Sequence, residues 1–420
     1  MAGTGMRSRL ITLALLLWTQ GLHAETPRSI ASPAQLQQAL LDPAGGRQIV
    51  LSGGDYGTLV LKDLTATAET PLVLRSADPG KPARFSGLIL RNLQNVVLEG
   101  LVLDYTFQAE DPLWQAPFRV ELSHGVTLRE LLIDGDRAWG RRPEDEGFPT
   151  GIGLAIRGSE GVTVENSEIR GFHRGLTVNK SAHVTLRGND LHDLRMDGMN
   201  FSQVQNLLVE GNQIHDFARS LSSGDHADMI QFWTTRTTEP SRDIAIRGNL
   251  LNSGQGWFTQ SIFMRNEKVD LGEAGKELYY RDVLIEDNVI INAHLHGISV
   301  GETDGLTIRN NTVVRNAASA GAENNPKLWT PRITVAQASH DVEISHNVTS
   351  AIVGPEGQPD WRVEQNILVQ DRARMEPGFY GTVFLPAALR APDRPGSFAA
   401  RPGGPLDGSG IGAQWLNGGK

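Results

Sequence analysis

HVTLRGNDLHD (183–193), NLLVEGNQIHD (206–216) and DIAIRGNLLNS (243–253) are one phrase written three times. DVLIEDNVIIN (282–292), GLTIRNNTVVR (305–315) and DVEISHNVTSA (341–351) continue it, and WRVEQNILV (361–369) is a shorter echo. Each copy alternates apolar and polar residues, reaches an asparagine and adds another apolar pair. The asparagines are Asn189, Asn212, Asn249, Asn288, Asn311, Asn347 and Asn366, separated by 23, 37, 39, 23, 36 and 19 residues. A base period of about 23 with insertions of about 14 marks a stacked solenoid. Alternation with period two marks strands rather than helices. The pattern predicts an all-β chain, a right-handed parallel β-helix built as a single-stranded solenoid of roughly ten coils. The asparagine is read as the residue of a tight bend, where it tolerates left-handed backbone angles and bonds its counterpart one coil away. Glu99-Gly100-Leu101 and Ser167 occupy that place in earlier coils.

The ends differ from the repeats. SPAQLQQALL (32–41) reads as an amphipathic capping helix over the first coil. Residues 386–420 are rich in Pro and Gly and read as an irregular tail after a β-helix domain spanning 25–385. Residues 1–24 carry Arg7 and Arg9, an apolar run from Leu10 to Trp18 and a small-residue stop at Leu22-His23-Ala24. That order is expected of a cleaved signal peptide, and so of a periplasmic or secreted protein. No later stretch approaches the ~20 apolar residues of a membrane span. The 420 residues contain no cysteine, which excludes disulfides, thiolate zinc sites and a cysteine nucleophile. With 39 basic and 48 acidic residues the net charge is −9, against a nucleic-acid binder. A monomer is expected.

A second strand follows each asparagine segment. GLTVNK (175–180), GMNFSQ (198–203), MIQFWT (229–234), SIFMRN (261–266), GISVGE (297–302) and RITVAQ (332–337) align, with GLAIRG (153–158) before them. Leu176, Met199, Ile230, Ile262 and Ile298 then face inward. Thr177, Asn200, Gln231, Phe263 and Ser299, and beside them Arg157, Asn179, Ser202, Trp233 and Arg265, face outward. Amides with an aromatic plate suit a sugar chain, so Asn179, Asn200, Gln231, Trp233, Trp257, His296 and Arg174 are the candidate substrate-binding residues. Loops 218–227, 253–260 and 317–331 are expected to wall this face. The sharpest cluster is Gly224-Asp225-His226-Ala227-Asp228, with Asp197 one coil earlier and Arg265 one coil later. No cofactor is required; Ca²⁺ between Asp197 and Asp228 is the metal candidate, because adjacent coils aim two oxygens at one point.

Family resemblance enters on these residues. The stretch LQQALLDPAGGRQIVLSGGDYG, then TPLVLRSADPGKPARFSG, ending at Gly87, resembles the opening of polysaccharide lyase family 6, the alginate lyase and chondroitinase B group. The repeats over 95–370 resemble the pectate-lyase-like superfamily. Asp225, His226 and Asp228, followed by Arg265, are similar to the Asp-Pro-His-Asp signature of alginate C5-epimerases, without its proline. That resemblance implies an acidic-histidine catalytic cluster and a charge-neutralising Arg265. Asn179-Lys180-Ser181 looks like the Asn-Lys-Ser stretch of family 6 lyases, which implies Lys180 as a base. The expected function is C5-proton abstraction and β-elimination on an acidic, uronate-containing polysaccharide. A C5-epimerase, a glycoside hydrolase using Asp197, Asp225 and Asp228, and a non-catalytic carbohydrate-binding protein stay open.

Overall fold

The computed structural model describes residues 28–41, 48–254, 259–319 and 326–418. The leader-like segment 1–24 and Trp257 lie outside the described residues. The repeats fold as parallel strands stacked coil on coil, and each coil turns through three faces.

The first face carries the strands Phe118–Glu121 (β1), Ile152–Arg157 (β2), Arg174–Arg187 (β3), Met199–Glu210 (β4), Asp228–Phe232 (β5), Gln260–Met264 (β6), His296–Val300 (β7) and Arg332–Val335 (β8). In β3 and β4 the chain bends at Lys180 and Gln203 and runs on into the second face. The third face is a sheet of twelve parallel strands, from Gly54–Asp55 to Ile367–Leu368. Register follows the period-two alignment: Leu176 pairs Met199, Met199 pairs Ile230, Ile230 pairs Ile262, and Ile262 pairs Ile298. These inward side chains are fully buried. Burying one such side chain contributes about 1.5–3 kcal/mol, and stacking repeats it in every coil.

The asparagines form one ladder. Each Nδ2, from Asn189 through Asn347, donates to Oδ1 of the next asparagine at 2.9–3.0 Å. The same oxygen accepts the backbone N–H of that donor residue. Ser167 N–H joins by donating to Asn189 Oδ1. The bend differs from expectation in one respect. The left-handed residue is the one before each asparagine: Gly188, Gly211, Gly248, Asp287, Asn310, His346 and Gln365, with φ between 53° and 63°. The asparagine is free of that strain, and burial of its amide makes the unbroken ladder obligatory. The bend between the first two faces has its own short ladder of Ser123, Ser159 and Ser181. Ser181 therefore has a structural place beside Lys180.

The helix Pro33–Leu41 buries Leu36 and Ala39 against the first coil. Ser32 Oγ accepts from Gln35 N–H, and Gln35 Oε1 accepts from Ala31 N–H, which closes its first turn. At the far end the strands stop at Leu368, well before residue 385. Tyr380, Val383, Phe384 and Phe398 then pack over Val289, Ile291, Val314 and Val348 on the outside of the third face. Trp415 Nε1 donates to Asp287 O, fastening the tail along the solenoid.

Five crossings from the third face to the first are longer than the rest: 105–117, 135–151, 216–227, and those that leave from Asn252 and from Arg315. They deliver the chain to the leading ends of β1, β2, β5, β6 and β8, whereas β7 is reached by the short crossing 293–295. The first two are additions to the walls expected from the sequence.

Candidate functional site

Arg174, Asp197, Asp228, Gln260 and His296 fall in one register row along the leading edge of the first face. His296 is followed by Arg332 across a small irregularity. Asp197 and Asp228 are stacked one coil apart, and both are fully buried. Arg174 Nε donates to Asp197 Oδ2 at 2.9 Å, and Asn200 Nδ2 donates to the same oxygen at 2.9 Å. Gln231 Nε2 donates to Asp228 Oδ2 at 3.1 Å, and Asn200 Nδ2 reaches Gln231 Oε1 at 2.6 Å. The other oxygen of each carboxylate has no hydrogen-bond partner. Burial raises the pKa of both acids; for Asp197, the Asp228 charge adds to it, and the result is about 6.

Asn200 and Gln231, expected as sugar contacts, are instead brackets for these carboxylates beneath the groove surface. Arg174 likewise serves Asp197. The two orphaned oxygens fall short of the six to eight that Ca²⁺ takes. Among the described residues no group of three or more His, Asp or Glu side chains converges to hold a metal ion. The residues present do not make a calcium cage.

His226 stands above this pair. Its Nδ1 lies 2.8 Å from Asp228 Oδ2, while the side chain is 52% exposed and Asp228 is fully covered. The hydrogen bond with Asp228 raises the imidazole pKa, working against partial burial. With Nδ1 tied to a carboxylate, Nε2 is the nitrogen of this half-exposed ring left for a substrate. His294 and His296 complete a histidine patch, 5.1 Å apart by ring centroid, and Phe263 lies 4.8 Å from His296. Burial lowers His294 to about 3 and His296 to about 4, so both are neutral at pH 7. Arg219 Nη2 donates at 3.2 Å to the backbone O of Asp225, the residue before His226, and its charge bears on Asp228, His226 and His294.

Asp225 departs from its expected catalytic place. Arg195 Nε and Ser223 Oγ donate to its Oδ2 at 2.9 Å each. His173 and Arg195 hold this carboxyl well below the usual range. Arg195 is itself buried, and its Nη2 also donates to Asp145 Oδ1 at 2.8 Å. This bridge fixes the 216–227 loop to the 135–151 crossing, and so sets where His226 stands. Ser220 Oγ donating to Glu144 O is a second tie.

Lys180 and Arg265 stand at the opposite edge. Arg265 shares a row with Trp233, and five residues of extended chain separate that row from Asp228, about 16 Å at ~3.3 Å per residue. Arg265 Nε donates to Asp270 at 2.9 Å, so it has a partner and lies out of reach of His226. Lys180 is exposed at its bend, next to Asn179, and Trp233 is half-buried in the same region. The structure thus brings together Asp197, Asp228, His226, Arg174 and His296, and leaves Lys180, Arg265, Asn179 and Trp233 apart from them. Arg195 aligns with His226 in the repeat, but its bridge to Asp145 and Asp225 does not show there. Arg219, Asp145 and His173 escaped the sequence reading because they lie in crossings with no repeat to align them.

A family model described as a right-handed beta helix region matches residues 150–352. No curated protein sequence matches the chain. Among solved structures, a Dettilon tailspike protein is similar at a TM-score of 0.52 and 11% identity, covering 83% of this chain and 63% of that one. The chain thus spans less than two thirds of the tailspike's length. A PL6-family polysaccharide lyase from Pseudopedobacter saltans aligns at a TM-score of 0.37 and 13% identity, covering 84% and 95% of the two chains. PfbA, a surface adhesin of Streptococcus pneumoniae, aligns at 0.42 and 11%, covering 84% and 96%. The protein is a right-handed parallel β-helix, and at these identities the likeness is one of fold. No described helix is long and apolar enough to cross a membrane.

Proposed function

We propose that the protein is an exported carbohydrate-active enzyme that acts on a uronate-containing polysaccharide by removing the C5 proton and eliminating the 4-linked sugar. One observation carries the reading: His226 is exposed to the groove while its Nδ1 is tied to the buried Asp228. That is the arrangement of a base whose tautomer and direction are fixed from behind.

The C5 proton is weakly acidic until the neighbouring carboxylate is neutralised. Arg219, bonded to the backbone of Asp225 just before His226, is the cation for that task and for the charge that develops as the proton leaves. His226 Nε2 takes the proton, and Asp228 stabilises the resulting imidazolium. The electron pair of the C5–H bond forms the C4–C5 double bond, and the C4–O4 bond breaks. The O4 leaving group takes a proton, for which the imidazolium is the acid at hand. A C5-epimerase shares the first half and ends by returning a proton to the other face. A hydrolase needs two carboxylates touching the glycosidic bond from either side. Asp197 and Asp228 are covered, and Asp225 is engaged with Arg195, so the site favours proton abstraction.

Incubation with alginate, polygalacturonate and chondroitin tests this. The expected result is ultraviolet absorbance from an unsaturated uronate with at least one polymer. Solvent-deuterium incorporation at C5 without new absorbance moves the ending to epimerisation. Neither signal with any polymer overturns the reading.

A further inference from the structure

Two tryptophans stand in solvent on the wall that precedes the His226 coil. Trp114 is 67% exposed and Trp139 is 53% exposed. Their segments are stitched to each other and to the groove. Gly151 N–H donates to Leu113 O and Ile152 N–H to Gln115 O, so the residues flanking Trp114 are bonded to the start of β2. Arg141 Nη2 donates to Asp111 O and its guanidinium lies over Phe107, against which Trp139 packs edge-on at 5.8 Å. From the same hairpin, Phe148 lies under Arg195, and Asp145 bonds Arg195, which holds Asp225 next to His226. The tryptophans and the imidazole therefore belong to one braced wall. Arg174 stands two coils before the Asp228 row, Ile152 one coil before Arg174, and the Trp114 segment one coil before Ile152. Trp114 therefore stands about four coils, roughly 19 Å, along this face from Asp228 at ~4.8 Å per coil.

We infer that Trp114 and Trp139 form a remote saccharide subsite, stacking sugar rings of the same polymer that reaches His226. This rests on the carbohydrate reading above and adds the direction in which the chain extends. The surroundings fit a sugar. Arg137, Arg141 and Glu146 share the hairpin of Trp139, and Arg141 also bonds Asp111 O, three residues before Trp114. Charged groups thus accompany the indoles, and the exposed apolar surface is not of one kind, as a broad protein-docking patch would be. An indole offers one flat apolar face per ring and its neighbours offer hydrogen bonds to hydroxyls and carboxylates.

Affinity electrophoresis through gels containing alginate, polygalacturonate, chondroitin or a neutral β-glucan tests the subsite without turnover. The wild-type protein and His226→Ala are expected to be retarded equally by one polymer. Trp114→Ala with Trp139→Ala should weaken that retardation about tenfold, with an unchanged melting temperature. In turnover, the double variant should raise KM for polymer and leave KM for the shortest cleavable oligomer unchanged. Wild-type retardation of the double variant overturns the inference whatever His226 does, and so does a wild-type protein that none of the four polymers retards. Loss of retardation in the double variant, with full turnover in His226→Ala, supports the subsite and overturns only the catalytic assignment.

Discussion

The strands of the first face begin and end in different chemistry. At their leading ends, long crossings arrive from the third face and bury Asp197 and Asp228 beneath His226. At their trailing ends, a tight bend passes directly into the second face, and Arg157, Lys180 and Arg265 stand exposed. The strands, register and period are common to both edges. What differs is cover. Loops exclude water from the leading edge, where each charge acts through a low dielectric and carboxylate pKa values rise. Water screens the trailing edge, and the ion pair of Arg265 with Asp270 is worth about 0–1 kcal/mol.

The sharpest way to break this contrast is His226→Ala, expected to lower turnover by ~10²–10⁴ while the melting temperature holds. Asp228→Asn should cost a comparable factor, and it also moves the pH profile. A base must be neutral, and Asp228 lifts His226 above its ordinary 6.5, so wild-type activity rises with pH through a midpoint above that value. Removing the negative charge lowers the midpoint, and the activity of the Asn variant should rise at lower pH. A midpoint that stays in place in a pH series of kcat/KM separates His226 from Asp228.

Arg174→Ala probes the buried side of the contrast through stability. Asp197, with a folded pKa of about 6 against an unfolded 3.8, already destabilises the fold as pH rises between those values. Without Arg174 the carboxyl titrates higher still, so the loss should be roughly 1–3 kcal/mol at pH 7 and smaller at pH 5, where wild-type Asp197 also holds its proton. Melting curves at the two pH values read this directly. The smallest effects belong to the trailing edge: Lys180→Ala and Arg265→Ala should each leave kcat/KM within about threefold. A loss of ~10² in either moves the chemistry to the far end of the strands.

The repeat made much of this legible. Aligning GLTVNK with GMNFSQ, MIQFWT, SIFMRN and GISVGE gives the observed register, and so places Asp197 beside Asp228 and one row in line with His296. The same alignment said nothing about depth. Asn200 and Gln231 have outward parity yet are covered, because they fold over the two carboxylates and the crossings close above them. Asp225 and His226 are neighbours in sequence, yet one turns to Arg195 and the other to the groove. Arg265 lost its expected place because the shared row that carries it also fixes how far along the strand it stands.

The sequence by itself determined the solenoid, the asparagine ladder and the face on which polar side chains gather. Those features come from short periods that each coil repeats, and a period is a local property of the chain. Which acids are buried, which histidine is free to meet a substrate and which loop holds it there were decided only by tertiary structure. Asp145 reaches Arg195 across 50 residues, and Ser220 reaches Glu144 O across 76. No repeat encodes such distances; the closing of non-repeating crossings over a repeating core does, because burial there sets the charge and direction of every group beneath.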